Sequence, residues 1–108
     1  MANVLQDLYE TVVSRKSEKK EGSYTCYLFE KGIDKILKKC GEECTEMVIA
    51  AKNQDNDELK NEIGDLMYHI MVMCVERGLP WEEVEEMLAE RSEKTGNLKQ
   101  FHQTDKNT

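Results

Sequence analysis

A chain of 108 residues has the length of one domain, and with 39% hydrophobic but 6% aromatic residues its core has to be assembled from Leu, Ile, Val, Met and Cys. One proline and six glycines supply too few turns for a sandwich or barrel, which leaves packed helices. The net charge of −7 is unevenly placed: Glu42 to Glu93 carries −11 and each flank +2, a distribution that argues against nucleic acid and anionic membranes as partners.

Taken in chain order, Asn3 is a helix N-cap, and Val4, Leu5, Leu8, Tyr9 and Val12 recur at helical spacing to about Lys16. The charged stretch that follows, ending at Gly22-Ser23, reads as an exposed, mobile loop. Ser23 or Thr25 can cap a short helix through Tyr27, Leu28 and Phe29, and Gly32 marks a break. A longer helix then places Ile33, Ile36, Leu37, Cys40, Cys44, Met47, Val48 and Ala51 on one apolar stripe, with Lys39, Glu42, Glu43 and Glu46 on its flank and back. Asn53 to Asp57 is a turn, and the next helix runs to Arg77 before Gly78 and Pro80 stop it. Its expected core stripe is Leu59, Ile63, Leu66, Ile70 and Met73, and Glu58, Glu62, Asp65 and His69 share one side. Trp81, Val84, Met87 and Leu88 give a last helix to about Lys94, and residues 95–108 form a polar tail outside the domain of residues 1–94.

No segment has the apolar run of a signal peptide or a membrane span, so a cytoplasmic protein is expected. Cys26, Cys40, Cys44 and Cys74 match no zinc spacing and are expected as reduced thiols. Met47, Met67, Met71, Met73 and Met87 are expected in the core and at a subunit interface.

The chemistry-bearing pattern is acidic. Glu42-Glu43-x-x-Glu46 lies on one helix and Glu62-x-x-Asp65 on the next, each set one turn apart on a helical face. A short connection makes the helices antiparallel neighbours, so the two sets can converge across a groove. Converging carboxylates repel unless a hard divalent cation sits among them; Mg²⁺ is the ordinary choice, Mn²⁺ another, and such an ion recruits phosphate. Spacing alone leaves the alternative of a solvated acidic face, which is how Glu82, Glu83, Glu85, Glu86 and Glu90 read. Lys39 can neutralise phosphate or pair with Glu43, and His69, one turn past Asp65, can orient a carboxylate or a water.

With these residues, the chain resembles the MazG-like all-α nucleotide pyrophosphohydrolases, whose hallmark is E-E-x-x-E followed by E-x-x-D. A longer string is present as Ser23-Tyr24-Thr25, Leu28-Phe29, Gly32, Lys35-Ile36, Lys38 or Lys39, and Gly41-Glu42-Glu43, with Ile49-Ala50-Ala51-Lys52 and Asp65-Leu66-Met67-Tyr68-His69 further on. Over about residues 3 to 93 it is similar to the phosphoribosyl-ATP pyrophosphohydrolase family. That resemblance implies Mg²⁺-dependent hydrolysis of phosphoribosyl-ATP to phosphoribosyl-AMP and pyrophosphate, the second step of histidine biosynthesis, by a stand-alone form without a fused cyclohydrolase. It implies Glu42, Glu43, Glu46, Glu62 and Asp65 as metal ligands, with Glu43 or Glu46 as general base and Ser23, Tyr24 and Thr25 shaping the nucleotide pocket. It also implies a homodimer, or a larger assembly, in which subunits complete a four-helix-type bundle. Gly64 departs from the family pattern: it costs about 1 kcal/mol of helix propensity and would permit a close helix approach. Two rivals are a house-cleaning NTP pyrophosphatase, against which the Ser23-to-Phe29 string argues, and a non-catalytic helical adaptor, which has no use for convergent carboxylates.

Overall fold

A computed structural model describes residues 3–94; the polar tail expected at 95–108 lies outside the described residues. Within them the chain is all-helical: α1 (Val4–Ser17), α2 (Tyr24–Lys31), α3 (Ile33–Lys52), α4 (Asn56–Arg77) and α5 (Trp81–Ser92). The starts are written in the sequence. Asn3, Ser23 and Asp55 each place a side-chain oxygen on a backbone N–H three residues on, satisfying a donor that the first turn leaves free. Gly32 ends α2 and begins α3 at φ +92° and ψ −176°, a conformation closed to side chains with a Cβ, so the chain turns there without a loop. Gly78 stops α4 in the left-handed region.

The core gathers Val12 of α1, Leu28 of α2, Ile36 of α3, Met71, Val72, Cys74 and Val75 of α4, and Trp81 of α5. Leu28, Ile36, Met71 and Val72 are fully buried, each contributing about 1.5–3 kcal/mol. This core sits against the C-terminal half of α4 and the N-terminal half of α3. The other halves, joined by the turn at Asn53–Asp55, extend beyond α1, α2 and α5 as an antiparallel hairpin.

That geometry corrects three expectations. Of the α3 stripe only Ile36 is buried, Ala50 joins it from outside the stripe, and Leu37, Cys44, Val48 and Ala51 are exposed. On α4 the buried residues are His69, Met71, Val72, Cys74 and Val75, while of the expected stripe Ile70 and Met73 pack half-buried against the core and Ile63 is exposed, because this helix packs on α3 along one side and on α1 and α2 along another. Met87 and Leu88 of α5 are exposed, since α5 meets the core through Trp81 and Val84. Gly64 makes no close approach: a Cβ built on it meets nothing within 4 Å. All four cysteines are free thiols, and no helix among the described residues is long and apolar enough to cross a membrane.

Candidate active site

The acidic sets of α3 and α4 meet where the hairpin leaves the core. Antiparallel pairing puts Glu43 opposite Glu62 and Asp65, and one carboxylate oxygen from each of the three lies within 4.8 Å of the others. Glu43, expected on the flank of α3, is instead buried at 7% exposure, because α4 covers that face. Glu46, one turn on, is near enough to raise the pKa of both Glu43 and Glu62, and Glu58, one turn before Glu62, acts on Glu62 in the same way. Five carboxyl groups therefore crowd one end of the groove.

The electrostatic consequence is visible on two of them. Burial, and then Glu46, push the Glu43 carboxyl above the ordinary carboxylate range. Burial, Glu58 and Glu46 push Glu62 up to about 7. Moreover, Oε2 of Glu43 and Oε2 of Glu62 are both shielded from solvent with no hydrogen-bond partner. Orphaned buried acceptors are costly, and two of them aimed into one cluster of oxygens fit a positive charge between them. The donors are all carboxylate oxygen, which suits a hard divalent cation such as Mg²⁺; two oxygens each about 2.1 Å from one Mg²⁺ stand at most about 4.2 Å apart, so slight side-chain adjustment closes this set on an ion.

Glu42 does not join the cluster. Successive helical residues point about 100° apart, so with Glu43 turned inward Glu42 turns out, where it pairs with Lys39 at 3.4 Å. Lys39 Nζ also lies 3.6 Å from Glu43 Oε1, spanning the two. Burial works against its charge, but the hydrogen bond to Glu42 and the nearby Tyr24, Glu42 and Glu43 prevail and raise its pKa.

Beside the carboxylates stands a ring of hydrogen-bonded aromatic groups. The buried His69 has Nδ1 2.7 Å from the Asp65 backbone carbonyl and Nε2 3.1 Å from the Tyr24 hydroxyl. A carbonyl can only accept, so Nδ1 carries a proton, and in the neutral imidazole Nε2 then accepts from the Tyr24 hydroxyl. Thr25 Oγ1 is hydrogen-bonded to the Tyr68 hydroxyl, and Tyr68 packs edge-on against His69 with centroids 4.9 Å apart. These contacts clamp the start of α2 against α4 one turn from Asp65. Ser23 has a simpler role: its Oγ accepts from the Cys26 N–H as the N-cap of α2.

Of the residues expected from sequence, then, Glu43, Glu46, Glu62 and Asp65 converge, Lys39, Tyr24 and His69 line their flank, and Thr25 acts through Tyr68. Glu58 is the addition; its position one turn before Glu62 on the same side of α4 was the available signal.

The sequence model of the family described as phosphoribosyl-ATP pyrophosphohydrolase matches residues 5–92. The chain belongs to that family. Proteins called phosphoribosyl-ATP pyrophosphatase are similar to it over most of their length: that of Streptococcus sanguinis (strain SK36) is 55% identical over 95 residues, 88% of this chain and 91% of the relative. Its counterpart in Listeria innocua serovar 6a is 57% identical over 91 residues, covering 84% and 87% respectively. The Clostridium botulinum (strain Hall) protein is 51% identical over 102 residues, covering 94% and 93%. The match spans every helix that contributes to the carboxylate cluster and to the Tyr24–His69 clamp, so the site described above lies wholly within the family domain.

Proposed function

We propose that this protein hydrolyses phosphoribosyl-ATP to phosphoribosyl-AMP and pyrophosphate, the second step of histidine biosynthesis, using a divalent cation, Mg²⁺ by preference, held by Glu43, Glu62 and Asp65 with Glu46 beside them. The observation that carries the metal reading is the pair of orphaned, shielded oxygens on Glu43 and Glu62 within one three-carboxylate group. When bound, the cation would supply screening of phosphate oxygens and a Lewis acid for the charge that develops as the phosphoanhydride breaks. Glu46, exposed yet within reach of Glu43 and Glu62, is placed to take a proton from the attacking water. Lys39 offers the phosphate chain a cation that Glu42 and Glu43 keep charged and aimed at the groove. His69 holds Tyr24 by its hydroxyl and thereby sets the wall of the nucleotide pocket.

A homodimer suits the same geometry. Leu37, Val48, Ile49 and Ile63 are each more than two-fifths exposed on α3 and α4, apolar surface that a second copy would bury. In that arrangement a four-helix-type bundle forms from two hairpins, with each acidic cluster near the seam.

The deciding experiment follows pyrophosphate release from phosphoribosyl-ATP with Mg²⁺, with ATP and dCTP as parallel substrates and EDTA as control. Metal-dependent release from phosphoribosyl-ATP alone is expected. Turnover of the free nucleotides instead would move the protein to a house-cleaning role, and no turnover of any of them would leave a helical adaptor.

A further inference from the structure

Tyr24 also borders a groove. It is open, about 730 Å³ in volume, and lined by residues of the α1–α2 loop and α2 that include Lys19, Lys20, Tyr24, Cys26 and Tyr27. The rings of Tyr24 and Tyr27, both in that lining, lie 6.0 Å apart with 24° between their planes and give the groove an aromatic side. Glu21 and Glu30 also line it, so the groove is not uniformly basic. Its Cys26 corner nonetheless favours negative charge: the Lys20 backbone N–H donates to Sγ at 3.3 Å, and that bond, Ser23, Arg15 and Lys19 together hold the thiol below its ordinary pKa.

The substrate proposed above is anionic at both ends. Its triphosphate hangs from one ribose, and a single phosphate from a second ribose that is joined to the adenine ring, with the base between. We infer that the groove is the subsite for the far end of this substrate, with the adenine against the Tyr24–Tyr27 wall and the phosphate of the second ribose on Lys19 and Lys20. The assignment rests on the phosphoribosyl-ATP reading and adds to it a basis for rejecting ATP, which has no second ribose phosphate to place on the lysines. Tyr24 joins the two compartments: its hydroxyl is tied to His69 beside Asp65, and its side chain forms part of the groove. A base lying on that ring directs its triphosphate toward the carboxylates and its other substituent toward the lysines. Aromatic stacking serves any nucleobase, so discrimination falls to the lysine–phosphate contacts.

The test is binding of the product, which retains the far end and lacks the pyrophosphate. Calorimetry with phosphoribosyl-AMP and with AMP gives an affinity ratio for each protein. We expect the wild type to prefer phosphoribosyl-AMP by about tenfold or more, the scale of one or two charge-assisted contacts. The Lys19→Ala/Lys20→Ala variant should bring the ratio to within about twofold of unity, and Lys19→Arg/Lys20→Arg should restore it. Lys52→Ala/Lys94→Ala, with the same change in net charge away from the groove, should keep the wild-type ratio. Helical circular dichroism and melting confirm that the exposed loop substitutions leave the fold intact. An unchanged ratio in the alanine variant, or no preference in the wild type, overturns the assignment. If the wild type still hydrolyses phosphoribosyl-ATP, only the groove assignment fails; if it does not, the reading beneath it fails as well.

Discussion

Glu62→Gln should remove activity and, without metal, change how the protein responds to pH. The carboxyl of Glu62 is pushed from 4.5 to about 7 by burial and by Glu58 and Glu46. Between those values the folded, metal-free protein holds up to one proton at this position that the unfolded chain has already released. Stability therefore falls as pH rises from about 4.5 to about 7, the reverse of the usual behaviour of a paired carboxylate. Glu43, shifted in the same direction, adds to the slope. A neutral amide has no charge to repel and no proton to lose. Thermal melts in EDTA across pH 5 to 8 should show the wild-type melting temperature dropping with pH and the variant's dropping less. Added Mg²⁺ should raise and flatten the wild-type curve by binding the folded state alone, with little effect on the variant. Turnover of phosphoribosyl-ATP should fall by about 10²–10³-fold, the loss typical of removing one group that stabilises transition-state charge. A wild-type melting temperature that is constant over this range in EDTA, or a variant that keeps its turnover and its Mg²⁺ response, would refute the account of the cluster.

Tyr24→Phe leaves Nε2 of the buried His69 without its donor and should cost about 1–3 kcal/mol in urea unfolding; an unchanged midpoint would mean that the clamp is not a structural bond. Gly64→Ala adds a methyl group to open space within α4 and should stabilise by about 0.5–1 kcal/mol, raising the melting temperature by roughly 4–8 °C per kcal/mol. A lower melting temperature would place a second copy against that position. Ile49→Glu sets a charge in the exposed apolar face of the hairpin and should shift the protein to monomer by light scattering while its helical content is kept; an unchanged mass would locate the subunit contact elsewhere.

Helix boundaries were legible because they are encoded locally. Asn3, Ser23, Gly32 and Gly78 each act on backbone groups within a few residues, and the structure places each at a helix end, while within the expected turn Asn53 to Asp57 it picks out Asp55 as the cap. The carboxylate convergence was legible for a related reason: i, i+3 spacing fixes a face, and a short turn fixes which faces meet. Burial was not. Periodicity locates an apolar stripe but does not say which element covers it, and on α4 only the end of the stripe at Ile70 and Met73 reaches the core while Ile63 is exposed. Glu43 shows the same limit from the polar side: its spacing matches a solvated flank, and only the packing of α4 makes it a buried acid.

The exposed stretches of the two apolar stripes have one cause. The monomer core ends midway along the hairpin, so the distal half of α3 and the proximal half of α4 keep an apolar pattern without a cover in this chain. The acidic cluster lies at that border, half enclosed by α3–α4 packing, with Glu46 and Asp65 still open to solvent. A site deeper in the core could not admit a triphosphate, and one farther out would lose the burial that leaves Glu43 and Glu62 with orphaned oxygens. The charge repulsion stored there is tolerated because the fully buried residues Leu28, Ile36, Met71 and Val72 lie at the other end of the hairpin and do not depend on it. The fully buried residues and the acidic cluster thus draw on different stretches of the same two helices, which is why substitutions in the cluster should reach activity before they reach the fold.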